Sequence, residues 1–189
     1  MGCSQDGLVR VNQYALVSYI PDPLGKFLDD LRIELAPGCR PHAHVTVLPP
    51  RPLQGPAERA ESELREASSH FHAFEVTLGG VEIFEASEVI YLSVARGERE
   101  LRRMHAQLNR ATVEFSEPYL FHPHITLAQN LPHEIVQDTL KLARESWAGW
   151  KGMVTFPVEE LSFVQNTAES VWLDLVHLRL SHEPAGMVR

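Results

Sequence analysis

A six-residue pattern occurs twice in this chain, and corresponding positions such as His44 and His124 are 80 residues apart. Residues 42–47 and 122–127 both read His, any residue, His, apolar, Thr, apolar. Alternate side chains of an extended strand lie on one face, so each copy is predicted to bury its two apolar side chains. The histidines and the threonine of each copy are then predicted to share the opposite face.

The segments around both copies repeat in the same order, strand–helix–strand–helix–strand. β-Branched and aromatic runs predict the strands, apolar residues at helical spacing predict the helices, and Pro or Gly separates them. Asp22 before Pro23 predicts the start of the first helix, and Asn166–Thr167 predicts the turn of a final hairpin. The predicted strands cover residues 11–20, 43–48, 74–83, 89–95, 124–128, 153–156, 161–165 and 171–180. The predicted helices cover about 24–35, 60–71, 101–115 and 132–147.

This order predicts an α+β fold of two pseudo-symmetric lobes, in which antiparallel-rich sheets covered by helices surround a central cleft. The predicted bilobal domain spans 12–180, with lobes over about 12–86 and 87–180 that can exchange strands. Residues 1–11 and 181–189 are predicted to be tails. A single doubly wound sheet is the alternative, and it is disfavoured because no glycine-rich phosphate loop follows any predicted strand.

The net charge of −8 disfavours tight binding of long nucleic acid, which usually needs a basic face. An acidic chain can still bind a nucleotide or an RNA end in a local pocket. No apolar run reaches the roughly 18 to 20 residues of a membrane span, so no membrane partner is expected. Cys3 and Cys39 are too few for a disulfide framework, which predicts free thiols and a cytoplasmic protein. A monomer is the default expectation.

Two imidazoles and two hydroxyls on facing strands suit the cleavage of a phosphodiester. The reaction needs a base to deprotonate the nucleophile and an acid to protonate the leaving oxygen. A histidine pKa near 6.5 lets one ring be neutral while another is charged. His44 and His124 are predicted to be this pair, in either order, with Thr46 and Thr126 donating hydroxyls to phosphate oxygens. The scheme requires no metal and no other cofactor.

The stretches His-Val-Thr-Val-Leu-Pro-Pro-Arg and Pro-His-Ile-Thr-Leu-Ala resemble the HxTx motifs of the 2H phosphoesterase superfamily, within it the 2′-5′ RNA ligase and cyclic phosphodiesterase group. The resemblance covers roughly residues 12–180. It implies a bilobal fold with the site in the central cleft, His44 and His124 as the catalytic pair, and Thr46 and Thr126 as phosphate-binding residues. It also implies a metal-independent hydrolase of a 2′,3′-cyclic phosphate or a related RNA or nucleotide phosphodiester. Some similar proteins also join RNA through a 2′-5′ bond.

Four residues near the motifs or on the last strand are further candidates for contact with substrate. Arg51, just after the first motif, either reaches a phosphate or covers the surface. Aromatic side chains stack on bases, which makes Tyr119, Phe121 and Trp172 candidates. For Phe121, packing beneath the cleft is the favoured interpretation.

His42 and His122 do not belong to the family motif, and they open a rival interpretation. They either support the catalytic rings or, together with them, form the four imidazole ligands of a metallohydrolase. The lack of a carboxylate inside either motif disfavours the metal site. A histidine-triad nucleotide hydrolase is disfavoured because both motifs have Thr where that pattern has its third His. A non-catalytic module that binds a phosphate end is the last alternative, although Arg or Lys suits binding alone better.

Overall fold

A computed structural model of the protein describes residues 8–38 and 42–181. In that part of the chain, two strand–helix–strand–helix–strand units are followed by a closing hairpin. The strands are β1 (Arg10–Tyr19), β2 (His44–Arg51), β3 (Phe74–Phe84), β4 (Val89–Arg96), β5 (His124–Ala128), β6 (Thr155–Val158), β7 (Glu160–Thr167) and β8 (Trp172–Arg179). The helices are α1 (Leu24–Leu35), α2 (Ala57–Ser68), α3 (Glu98–Leu108) and α4 (Val136–Gly149).

The strands form two four-stranded antiparallel sheets, ordered β2-β1-β7-β8 and β5-β4-β3-β6. The predicted α+β class with antiparallel-rich sheets is therefore confirmed. Each sheet takes strands from both halves of the chain, because β3 pairs with β4 and β6 while β7 returns to β1. The boundary predicted near residues 86 and 87 therefore does not separate the two sheets.

The motif strands β2 and β5 are edge strands of their sheets. Their apolar residues are fully buried in the core: Val45, Val47, Ile125 and Leu127. The alternating residues are half-buried on the opposite face, as the two-residue period of a strand requires. β2 and β5 also contact each other, so the fold brings the two motifs together across the boundary between the sheets.

Helix α1 packs against the second sheet. Its buried face has leucines at helical spacing: Leu24, Leu28, Leu31 and Leu35. Phe27 stacks on Trp150, with 4.4 Å between ring centroids, and α1 also contacts α4 and β5. Although α1 follows β1 of the first sheet in the chain, it packs against β5 of the second sheet.

Several predicted boundaries differ from the structure by a few residues, and three of them move a named residue into another element. β1 begins at Arg10, within the predicted tail. α3 ends at Leu108, because Asn109 leaves the helical conformation, so Phe115 lies in the following loop. Asn166 and Thr167 belong to β7, and the turn follows them at 168–170.

Among residues 8–38 and 42–181, no helix has the length and apolar character needed to cross a membrane. Cys3 and Cys39, on which the prediction of free thiols rests, lie outside the described residues. Residues 1–7 and 182–189 of the predicted tails lie outside them as well.

Candidate active site

The rings of His44 and His124 are held in the same way. His44 Nδ1 lies 2.8 Å from the carbonyl oxygen of His42, and His124 Nδ1 lies 2.7 Å from that of His122. A carbonyl oxygen only accepts hydrogen bonds, so Nδ1 carries the proton in both rings. Nε2 of each neutral ring then keeps its lone pair, which is the state that a general base needs.

Tyr19 is the strand neighbour of His44 in the first sheet. Its ring stands edge-on to the His44 ring, with 6.4 Å between centroids, and lies 5.6 Å from the His42 ring. Its hydroxyl donates to Asp174 Oδ1 at 2.6 Å. Burial and this hydrogen bond raise the pKa of Tyr19 above its ordinary value. The neutral phenol therefore forms a fixed wall beside His44.

An aromatic pair forms the wall beside His124. Phe84 and Tyr91 stack with 4.0 Å between centroids, and the His124 ring meets them at 5.1 and 5.3 Å. The Tyr91 hydroxyl donates to Glu82 Oε2 at 3.0 Å, and burial with this bond raises the pKa of Tyr91 to about 12. Tyr91 is also the strand neighbour of Thr126. Each motif is thus bordered by a neutral tyrosine whose hydroxyl is bonded to a carboxylate.

Burial lowers the pKa of both candidate histidines. The pKa of His44 falls to about 4; the positive charges of Arg32 and His124 add to the effect of burial, and the His42 carbonyl opposes it. Burial also lowers the pKa of His124, and the bond to the His122 carbonyl opposes this change. Both rings are therefore neutral in the free protein at pH 7, and His44 is the harder of the two to protonate.

His42 and His122 contact the candidate rings through their main-chain carbonyls. The predicted strand face does not extend to them, because β2 begins at His44 and β5 at His124. His42 adopts the left-handed region with φ at 101°, which breaks the strand alternation. The backbone of His42 and His122 therefore holds the candidate rings, and the imidazole of His122 also lies 6.4 Å from that of His124.

Arg51 does not reach the motifs, although it directly follows the first one. It is fully buried, and its guanidinium donates to the carbonyls of Pro49 and Val113 and to Asn109 Oδ1. It also forms an ion pair with Glu117. Neither predicted role, phosphate contact or surface cover, is observed. Arg51 is the last residue of β2, and its contacts with Asn109, Val113 and Glu117 attach the loop that follows α3 to this strand.

The three aromatic candidates occupy different environments. Phe121 stacks on the His105 ring at 3.9 Å with 7° between the planes, in line with the packing interpretation. Tyr119 is 82% exposed on the loop before β5, where stacking on a base stays a prediction. Trp172 lies on β8, three strands from β2, which is roughly 14 Å at the usual strand spacing. The sheet therefore does not bring Trp172 next to the first motif.

The aromatic contacts divide the four motif histidines into two pairs, His42 with His44 and His122 with His124. His42 lies against Tyr19, and the His122 ring lies edge-on to Phe84 and Tyr91. Within the described residues, no three His, Cys, Asp or Glu side chains are arranged to hold a metal ion. The donor set that a four-imidazole metal site needs is therefore not assembled by this part of the chain.

Tyr19, Phe84 and Tyr91 adjoin the motifs but are not identified from the sequence. Strand alternation places Tyr19 and Tyr91 on the face of β1 and β4 that is opposite the core-facing residues. This alternation is visible in the sequence, and it indicates the face on which both side chains lie. Which motif residue each one meets depends on strand pairing and register, and neither is visible in local sequence.

Comparison with known proteins gives a consistent family. The sequence model of the 2′-5′ RNA ligase superfamily matches residues 20–169, a range that contains both motifs. A protein of Halalkalibacterium halodurans assigned as a phosphoesterase is 26% identical over 136 residues, which cover 67% of this chain and 75% of that protein.

Solved structures share the fold at low sequence identity. The protein TT0787 of Thermus thermophilus has a TM-score of 0.63 at 17% identity, covering 91% of this chain and 100% of that one. Escherichia coli LigT complexed with 3′-AMP has a TM-score of 0.62 at 17% identity, covering 90% and 99%. The family match and the duplicated motifs agree, and the chain belongs to the 2′-5′ RNA ligase superfamily of 2H phosphoesterases.

Proposed function

We propose that this protein is a metal-independent phosphodiesterase that opens a 2′,3′-cyclic phosphate on a nucleotide or an RNA end. One observation carries the proposal. His44 and His124 lie on adjoining edge strands, and in both rings a main-chain carbonyl holds the Nδ1 proton and leaves Nε2 available. Paired imidazoles of this kind suit a reaction that removes one proton and delivers another.

In the proposed reaction, Nε2 of one neutral ring takes a proton from water as the water oxygen attacks phosphorus. The other ring, protonated, gives its Nε2 proton to the ribose oxygen as the bond between that oxygen and phosphorus breaks. The product is a phosphate monoester beside a free ribose hydroxyl. With an RNA 5′-hydroxyl and a cyclic phosphate in the same site, the same proton transfers lead to a 2′-5′ bond.

The hydroxyls of Thr46 and Thr126 are proposed to bind the non-bridging phosphate oxygens. Both threonines are half-buried and share a strand face with a candidate histidine. Arg32 and Arg102, which lie beside the motifs, each donate to a main-chain carbonyl. Phosphate binding by hydroxyls and one imidazolium favours a small substrate over a long RNA, in keeping with the net charge of −8.

The nucleotide in the proposal has two supports. E. coli LigT, which shares the fold, is complexed with 3′-AMP in one of its structures. The aromatic side chains beside the motifs in this chain, Tyr19 and Tyr91 among them, offer apolar surface next to a polar centre. A cyclic-phosphate nucleotide fits both observations.

The proposed activity is tested with 2′,3′-cyclic nucleotides and a short RNA ending in a cyclic phosphate, each with and without EDTA. Turnover is expected at equal rates in both conditions, because both proton transfers and the charge stabilisation use side chains of the protein. Chromatography of the product identifies whether the 2′- or the 3′-phosphate remains. Activity only with added metal would favour a metallohydrolase, and saturable binding without product would favour a binding module.

The pH dependence of kcat/KM is expected to be bell-shaped, with its maximum on the acidic side of neutrality. Activity requires one neutral and one protonated ring. That state is populated between about pH 4, the pKa of His44, and the pKa of His124, which burial holds below 6.5. Rates should fall above this range as the second ring loses its proton. A rate that keeps rising through pH 8 would contradict the two-histidine scheme.

Replacing Thr46 or Thr126 with valine is expected to lower kcat by about 10²–10³-fold, the usual cost of removing one donor to a developing oxyanion. Valine keeps the branched shape and removes only the hydroxyl. Steady-state kinetics on the cyclic nucleotide measure the loss. The matched Thr→Ser variants keep the hydroxyl and are expected to recover most of the rate, whereas wild-type rates in both valine variants would exclude the threonines from phosphate binding.

A further inference from the structure

The main chain before β2 is held by a carboxylate from α1. Asp29 Oδ1 accepts hydrogen bonds from the backbone N–H of His42 at 2.8 Å and of Ala43 at 2.5 Å. His42 has φ at 101°, in the left-handed region that a residue with a side chain rarely adopts. The two bonds to Asp29 stabilise this conformation, which directs the His42 carbonyl toward the ring of His44.

An arginine one helical turn further along α1 binds the same carbonyl. Arg32 Nη1 donates to the His42 oxygen at 3.1 Å, while His44 Nδ1 donates to it at 2.8 Å. The guanidinium charge therefore lies one carbonyl group away from the imidazole. A positive charge at this place opposes the formation of a second positive charge on His44.

Among the described residues, the charged surroundings of the second motif are different. Arg102 of α3 donates to the carbonyl of Phe121, one residue before His122, and its charge is paired with Glu98 at 2.7 Å. Arg102 therefore binds the carbonyl of Phe121 and not the carbonyl of His122, which holds the His124 ring. The two rings have matching backbone contacts but different charged surroundings.

We propose that Asp29 and Arg32 are positioning residues: Asp29 fixes the His42 carbonyl that keeps the His44 proton on Nδ1, and the charge of Arg32 favours the neutral ring. Together they make His44 the base and His124 the acid. Because α1 also contacts β5, the same helix sets the placement of His44 relative to the second motif. The base and acid roles rest on the proposed phosphodiesterase function. The protonation of His44 does not depend on that function.

Within the described residues, the charged and titratable groups that face His44 lie on α1, β1 and β5. Arg32 and Asp29 face it from α1, with opposite effects, and His124 faces it from β5. Tyr19 of β1 is neutral and bonded to Asp174. Burial is the largest influence and also favours the neutral ring, so the geometric argument and the direction of the pKa agree.

The first test compares Arg32→Gln with Arg32→Lys by NMR titration of the His44 ring. Loss of the charge is expected to raise the midpoint of that titration by about half a pH unit or more, whereas lysine keeps it near the wild-type value. Arg102→Gln is the matched control from the other lobe, and it should leave the His44 midpoint unchanged. An unchanged midpoint in Arg32→Gln would overturn the role of Arg32, whether or not the protein turns over any substrate.

Asp29 is tested with a pair of variants. Asp29→Asn keeps an oxygen that can accept both backbone bonds and is expected to stay within a few-fold of the wild-type kcat. Asp29→Ala is expected to lose about 10-fold or more, because misplacement of a catalytic group is costly. Adding His42→Gly to Asp29→Ala should recover part of this loss, since glycine adopts positive φ freely. Equal rates in Asp29→Ala and Asp29→Asn would overturn the positioning role.

A substrate whose leaving group needs no proton distinguishes the base from the acid. A nitrophenyl phosphodiester releases a stable anion and needs no proton from an acid. On this substrate His124→Asn is expected to retain most of the wild-type rate, while His44→Asn stays impaired; on the cyclic nucleotide both are impaired. The reverse order would overturn the assignment of His44 as base. An inactive wild-type protein with a raised His44 midpoint in Arg32→Gln would instead reject only the proposed function.

Discussion

Replacement of His44 or His124 by alanine is expected to lower kcat on a 2′,3′-cyclic phosphate by about 10²–10⁴-fold, the range for loss of a general acid or base. Each variant leaves only one ring to move protons. The double variant should lose little more than the stronger single variant, because the two rings act as a unit. Single-turnover kinetics on the cyclic nucleotide measure the chemical step directly.

The fold should survive both alanine substitutions. The rings are half-buried, and their Nδ1 atoms bond to main-chain carbonyls that water can reach once the ring is absent. Thermal unfolding midpoints should therefore stay within a few degrees of wild type. His133→Ala is a matched surface control, because that side chain is 83% exposed and pairs with Glu88. Full activity in either motif variant would remove the two-histidine mechanism.

Replacement of Arg51 by methionine is expected to lower the free energy of unfolding by about 3–5 kcal/mol, the usual cost of removing one partner of a buried ion pair. The Arg51 side chain is 1% exposed and that of Glu117 is 15% exposed, so the carboxylate would stay largely buried, with His105 Nε2 at 3.0 Å as its remaining partner. Asn109 and two carbonyls would also lose a donor. Urea unfolding followed by circular dichroism measures the change.

A second substitution separates charge from packing at this site. Arg51→Met combined with Glu117→Gln should be more stable than Arg51→Met alone, because a neutral amide replaces the carboxylate that is buried beside the apolar side chain. The surface pair of Arg59 with Glu63 provides the control, and Arg59→Met should leave the unfolding midpoint almost unchanged. A loss below about 1 kcal/mol in Arg51→Met would place this pair in the same class as surface ion pairs.

Most elements of the fold are predictable because their residues obey a local period. Leucines at helical spacing identify α1, and alternation identifies β2 and β5. The element ends are less predictable, since a cap or a hydrogen bond decides them. His42 reads as part of a strand, yet Asp29 holds it in a left-handed conformation and β2 begins two residues later.

Residues that act through distant partners escape local reasoning. Arg51 follows a motif and carries a charge, which suggests phosphate binding. Its partners Asn109, Val113 and Glu117 come from a segment that is remote in sequence, and they bury it away from the motifs. Tyr19 and Tyr91 are ordinary strand residues until pairing places them beside His44 and Thr126.

The sequence by itself determined the duplicated order of elements, the faces of the two motif strands and the family to which the chain belongs. These properties depend on residues a few positions apart, for which backbone geometry fixes the relation between side chains. The tertiary structure alone decided that strands are exchanged between the sheets, that β2 and β5 adjoin, and that Arg32 lies at the carbonyl that holds His44. Those relations join residues that are far apart along the chain or belong to different elements, and packing and strand register bring them together.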